Sequence, residues 1–187
     1  MMTHYINLKV VPDPETTAAQ ILGVLYNKLH LQLVEMQATD IAVSFPDYSK
    51  NPLGVGNVLR LCSSDERLKK LLSQDWLKGV RDHVRLSEIL PIPDEAEHRR
   101  FWRKQPKTNV GRLRRRRMKR KNESYEQAKE AIPSTVERKP NLPYVHLRSL
   151  SSKQNYCLFL ELGRSQESVE GKFNSYGLST EATTPWF

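Results

Sequence analysis

The chain has 187 residues, 38% hydrophobic and 27% charged, with a formal charge of +9 at pH 7. That length supports one large or two small domains, each with its own core. No segment approaches the run of about eighteen apolar residues that a membrane span needs, and no GxxxxGK[ST], HExxH or CxxC pattern occurs, which sets aside P-loop nucleotide hydrolysis and zinc chemistry.

In chain order, HYINLKVV puts Ile6, Leu8 and Val10 on one face, the period of a strand, and Pro12 and Pro14 end it. From Thr16 or Thr17 as N-cap, the residues Ala18, Ile21, Leu22, Leu25, Leu29, Leu33 and Met36 recur at steps of three and four. That spacing predicts an amphipathic helix. DIAVSF and NVLRLC predict two more strands. SSDERLKKLL predicts a helix opened by a serine cap, with acids in its first turn, and GVRDHVRL a closing strand. The order strand, helix, strand, strand, helix, strand is that of the ferredoxin-like split βαβ unit, whose two helices cover one sheet face. The two prolines of PIPDE, residues 91–95, mark a boundary. The expected fold is therefore α+β. A ferredoxin-like (βαββαβ) domain spans 1–95, and a smaller α+β C-terminal domain spans 96–187 and carries an arginine-rich helix at about 109–121.

The segment GRLRRRRMKRK, residues 111–121, holds eight Lys or Arg. From Glu97 to Lys121 there are thirteen such cations against one acid, a charge of +12; removing this from +9 leaves −3 for the remainder. So localised a footprint suggests a polyanion bound at one surface. With Asn109 as cap, a helix here has only Val110, Leu113 and Met118 as apolar residues, hence little core. Steps of four stack Arg112, Arg116 and Arg120, with Arg115 and Lys119 alongside, and each like-charge pair costs a few tenths of a kcal/mol that a counter-charged ligand would relieve. A rod of this kind fits the deep, narrow major groove of A-form RNA, where Arg grips phosphates and pairs bidentately with guanine edges. A nuclear localisation patch, a membrane-surface helix and a solvated face are the other readings of a basic run. The preceding HRRFWRKQPK mixes cations with Phe101 and Trp102, which serve either as base-stacking rings or as core anchors, and Gln105 suits a base edge. Membrane binding would need a broad apolar face that this segment lacks. Ser124 and Gln127 form a capping box for a short helix, YEQAKEAI, that Pro133 ends. PYVHLRSL, NYCLFLEL and KFNSYGLS alternate like strands, and Cys62 and Cys157, each alone in an apolar run, suit buried thiols.

His4, His30, His83, His98 and His146 stand apart, without metal-ligand spacing. A metal-free reaction on RNA needs little else. The substrate carries its own nucleophile, the 2′-hydroxyl, so the protein supplies a base, in-line positioning and charge stabilisation. His30 sits one turn after Tyr26 at the border of the helix's apolar stripe, where either a structural role or a surface cleft is open to it. His146, between two residues that face the other way on a strand, is a second candidate.

Several motifs, HYINLKVVPDPE, LYNKLH, VSFPD, LRRRRMKR, LPYVHLRSLSS, YGLS and the final PWF, run nearly end to end. Together they resemble the type I-F CRISPR repeat-processing endoribonucleases, the Csy-type members of the CRISPR-associated Cas6 superfamily. The resemblance implies an enzyme without metal or other cofactor that cuts precursor transcripts at the 3′ base of a CRISPR repeat hairpin. The product carries a 5′-hydroxyl and a cyclic or 3′ phosphate and stays bound. It further implies a protein monomeric on RNA, with the other subunits of a type I-F surveillance complex as partners; the lack of a long apolar run separately predicts a cytoplasmic protein with no membrane. By the same resemblance His30 is the general base, Ser149 positions the attacking 2′-hydroxyl with Ser151 nearby, and Tyr176 orients the imidazole. Arg103 and Gln105 would read lower-stem bases, while Arg112, Arg115, Arg116, Lys119 and Arg120 would enter the major groove and Tyr156 would stack on the terminal base pair. The family pattern has Arg in the place of Lys119 and Phe in that of Tyr156; Lys lacks the guanidinium fork, whereas Tyr keeps the ring face. The alternatives are a non-catalytic RNA-hairpin-binding subunit and a ribosomal or regulatory basic protein.

Overall fold

A computed structural model describes residues 2–105, 110–136, 140–149 and 153–187. Its elements run β1 (His4–Val10), α1 (Ala18–Glu35), β2 (Ala42–Ser44), β3 (Ser49–Lys50), β4 (Leu53–Gly54), β5 (Val58–Ser63), α2 (Asp65–Leu72), β6 (Val84–Leu86), β7 (Leu90–Pro91) and β8 (Glu97–Arg103). They continue with α3 (Val110–Lys121), α4 (Tyr125–Ala131), β9 (Tyr144–Arg148), β10 (Asn155–Gln166) and β11 (Ser179–Trp186). The chain is mixed α+β and forms two compact units. One joins the residues up to Arg103 with Leu142–Phe187, and the other is Lys104–Asn141.

In the first unit the period-two pattern of β1 buries Ile6, Leu8 and Val10, and Ile6 and Leu8 pair in register with Leu61 and Leu59 of β5. The sheet order is β2-β5-β1-β6, with β7 also on β1, and every pair is antiparallel. A second antiparallel sheet runs β11-β8-β10-β9, and β3 and β4 form a small ribbon. Thr17 caps α1 in a reciprocal box with Gln20, and the helix buries Ile21, Leu22, Leu25, Tyr26, Leu29 and Leu33. These side chains share one core with both sheets, including Phe101, Val145, Leu147, Leu158 and Leu178. Each such Leu, Val or Phe stabilises the unit by about 1.5–3 kcal/mol relative to exposure. Gly23 lets α1 lie directly on β9, since any Cβ there would overlap the carbonyl oxygen of His146. Ser64 caps α2 by accepting from Arg67, with Asp65 and Glu66 in the first turn.

The second unit has a different interior. Among its described residues only Val110, Arg114 and Ala128 are buried. Ser124 and Gln127 form the capping box that opens α4, as their spacing predicts.

Two segments differ from the sequence expectation, and a third settles a reading the sequence leaves open. GVRDHVRL contributes a strand only at Val84–Leu86, because Arg81–His83 coil into a 3-10 turn after Gly79, which adopts a left-handed φ of 79°. HRRFWR belongs to strand β8, and of its two sequence readings Phe101 takes that of a core anchor, at 1% exposure. KFNSYGLS is a loop and turn in which only Ser179 enters β11; Asn174 and the left-handed Gly177 bend the chain where alternation alone suggests an extended run. Asn109, the expected cap of the arginine-rich helix, lies outside the described residues.

Candidate functional site

Tyr26 and His30 lie four residues apart on α1 and so face the same way. The His30 ring stacks on the Tyr176 ring, with centroids 3.9 Å apart and planes within 2°. Its Nδ1 lies 2.9 Å from the backbone carbonyl of Ser175. A carbonyl only accepts, so Nδ1 carries the proton, and in the neutral ring Nε2 keeps its lone pair for chemistry. Two phenols hold this arrangement. Tyr26, fully buried, donates its hydroxyl to the Tyr176 carbonyl at 2.8 Å. Tyr156 shares a 2.8 Å hydrogen bond with the Tyr176 hydroxyl. Burial first, and then this bond, push Tyr176 up to about 12, so its phenol stays protonated at neutral pH.

The His30, Tyr156 and Tyr176 rings border a cleft of about 280 Å³ that Asn27, Leu31, Arg148 and Ser149 complete. Asn27 donates from Nδ2 to the Arg148 carbonyl at 3.1 Å, tying α1 to the end of β9. Ser149 follows that strand, and its N–H donates to the Gln154 carbonyl. The guanidinium of Arg103, at the end of β8, lies 5.8 Å from the centre of the Tyr156 ring. The cleft thus combines a base-capable nitrogen, a hydroxyl and a flat aromatic surface beside a cation.

In the second unit, the helix the sequence reads as a rod charged on most sides is two-faced. At about 100° per residue, Arg112, Arg115, Arg116, Lys119 and Arg120 fall within an arc of about 140°, and all five are exposed. Val110, Leu113, Arg114, Arg117 and Met118 occupy the opposite side, buried or half-buried. Arg114 is only 7% exposed and donates to the Ile132 carbonyl at 2.9 Å and to the Ser134 hydroxyl at 3.2 Å, with the Tyr125 hydroxyl 3.4 Å away. Arg117 grips Glu123 through two nitrogens, at 2.6 and 3.1 Å. That hydrogen bond holds the Glu123 carboxyl below its ordinary range.

Over residues 5–187 the sequence matches the family described as CRISPR-associated protein (Cas_Csy4). It is 42% identical, over 187 residues and the whole of both chains, to the CRISPR-associated endonuclease Cas6/Csy4 of Pseudomonas aeruginosa (strain UCBPP-PA14). The protein of the same name from Escherichia coli (strain UTI89 / UPEC) is 40% identical over the same extent. The chain belongs to the Cas_Csy4 family.

Within this family member the residues singled out from sequence separate into groups. His30, Ser149, Tyr156 and Tyr176 meet at one cleft, with Arg103 beside Tyr156. Ser151 lies outside the described residues. Arg112, Arg115, Arg116, Lys119 and Arg120 share one exposed helix face, and Gln105 is exposed in the same unit. His146 is exposed on β9, its Nδ1 3.6 Å from the Cys157 sulfur, and does not line the His30 cleft. Cys62 is buried, and burial pushes its thiol up to about 12; Cys157 is only half-buried. Among the described residues no group of three or more His, Cys, Asp or Glu side chains stands together to hold a metal ion. Sequence reasoning missed the supports: Arg114 and Arg117, which look like any other Arg of the run, and Asn174, whose signal is an Asn three residues before a Gly.

Proposed function

We propose that this protein is a metal-independent, sequence- and structure-specific endoribonuclease that cleaves CRISPR precursor transcripts at the 3′ base of the repeat hairpin and stays bound to the crRNA. The observation that carries the reading is the His30 imidazole, clamped between the Ser175 carbonyl and the Tyr176 ring beside Ser149. In this mechanism Nε2 of His30 takes the proton of the ribose 2′-hydroxyl. The 2′-oxygen forms a bond to the adjacent phosphorus, the bond from phosphorus to the 5′-oxygen breaks, and the products are a cyclic phosphate and, once that oxygen has taken up a proton, a 5′-hydroxyl. Ser149 positions the nucleophile and Tyr176 fixes the plane of the imidazole. Tyr156 stacks on the terminal base pair, as its flat ring and the nearby Arg103 suit it to do. Arg103 and Gln105 read lower-stem bases, and the exposed arc of α3 enters the RNA major groove.

The same reading assigns residues 1–95 to a ferredoxin-like domain, for which the element order and the β2-β5-β1-β6 strand order speak, and residues 96–187 to RNA binding. It places the protein in the cytoplasm, monomeric on its RNA and associated with other subunits of a type I-F surveillance complex.

The deciding experiment incubates repeat hairpin RNA, scrambled RNA and a hairpin with a single 2′-deoxy sugar before the scissile phosphate, all in EDTA. The repeat hairpin should be cut and the other two left intact. His30→Ala should lower cleavage by about 10²–10⁴-fold and keep hairpin affinity. Cleavage by that variant at the parent's rate would remove His30 from the mechanism. Tight hairpin binding with no cutting by the parent would make the protein a non-catalytic RNA-binding subunit, and binding indifferent to sequence a general basic protein.

A further inference from the structure

The two contacts that hold His30 come from neighbouring residues of one turn, and that turn is organised by a side chain with no contact to the imidazole. The Asn174 side-chain oxygen accepts from the backbone N–H of Tyr176 at 2.8 Å and of Leu178 at 3.3 Å. The Asn174 backbone closes the same loop, with its N–H donating to the Leu178 carbonyl at 2.9 Å and its carbonyl accepting from Gly177 at 2.8 Å. Gly177 stands at a left-handed φ of 67°, and its carbonyl accepts from Val43 of β2 at 2.8 Å. A Cβ on Gly177 would collide with the Val43 side chain. The turn is therefore pinned to β2 on one side and to α1, through the Tyr26 hydroxyl, on the other.

We infer that Asn174 is a positioning residue for His30: by bending residues 174–178 it aims the Ser175 carbonyl at Nδ1, holds the proton there and so keeps Nε2 unprotonated in the neutral ring. Which imidazole nitrogen is protonated is set by the hydrogen bond the other makes, and an Asx turn is a local device that fixes where the next carbonyls point. Asn174 itself is exposed, so its replacement removes the turn's acceptor without opening the core. This inference rests on the reading of His30 as the base, yet its structural half can be measured without RNA.

The experiment compares parent, Asn174→Ala and Asn174→Ser, which keeps a shorter acceptor. The first readout is the ¹⁵N NMR signature of the His30 ring in its neutral form. The parent should show the proton on Nδ1, Asn174→Ala a shift of population toward Nε2–H, and Asn174→Ser an intermediate. The second is single-turnover cleavage of repeat hairpin RNA, which should fall by up to about 10²-fold in Asn174→Ala, the scale of a misplaced catalytic group, recover in part in Asn174→Ser, and leave hairpin affinity unchanged. A His30 ring that keeps its Nδ1 proton in Asn174→Ala overturns the inference, as does cleavage at the parent's rate despite a shifted proton. Failure of the base assignment itself shows separately, as undiminished cleavage by His30→Ala.

Discussion

The two compact units fill their interiors differently. In the first, rings form the interior: Phe45 meets Tyr26 and Phe101 edge-on or tilted, Tyr48 and Trp186 extend the group, and the Tyr26 hydroxyl at its border donates to the carbonyl of Tyr176, which lines the His30 cleft. In the second, apolar burial among the described residues is confined to Val110 and Ala128, and a guanidinium, that of Arg114, takes the place of a core side chain. Two side chains of one type, Arg114 and Arg116, stand two residues apart with opposite roles. One is satisfied internally by carbonyl and hydroxyl acceptors, while the other is exposed among like charges. A short helix with few apolar residues can be held in this way because charge-assisted hydrogen bonds are roughly twice as strong as neutral ones, while the exposed arc remains ready for an anionic partner.

Substitutions inside the two interiors break the comparison most sharply. Phe45→Ala should destabilise the first unit by about 3–5 kcal/mol, the cost of deleting a fully buried ring, read as an earlier urea midpoint. Arg114→Ala should cost the second unit about 1.5–3 kcal/mol, the loss of hydrogen bonds from a charged donor, read as faster amide exchange across α3 and α4. Unchanged exchange would mean that the guanidinium is no core substitute. Arg116→Ala should leave stability within about 0.5 kcal/mol and reduce the slope of log affinity against log salt for hairpin RNA by about 1. The smallest effect is the acid response of the Arg117–Glu123 pair. The carboxyl is held below its ordinary 4.5 in the folded chain, so its stabilisation is fully present above that value and is lost as pH falls through the lower, folded one. Exchange in α3 should therefore rise on acidification below 4.5, and Glu123→Gln should abolish that rise.

Much of this molecule is legible in its sequence. Period-two runs place β1 and β2 and a short apolar run places β5, while the three-and-four stripe behind Thr17, the serine cap of α2 and the Ser124–Gln127 box place three helices. These signals are local, between residues a few positions apart, and so they survive in a one-dimensional string. The concentration of cations at 111–121 is equally plain, and with it the kind of partner it implies. What the string does not contain is the fate of each cation, because the acceptors of Arg114 come from Ile132 and Ser134, eighteen and twenty residues on. Nor does it show that Ser175, 145 residues away, closes on His30 together with its neighbour Tyr176, through a turn whose alternating pattern suggests a strand. Only tertiary structure decides such pairings, since hydrogen bonds and ring contacts depend on where the backbone returns in space.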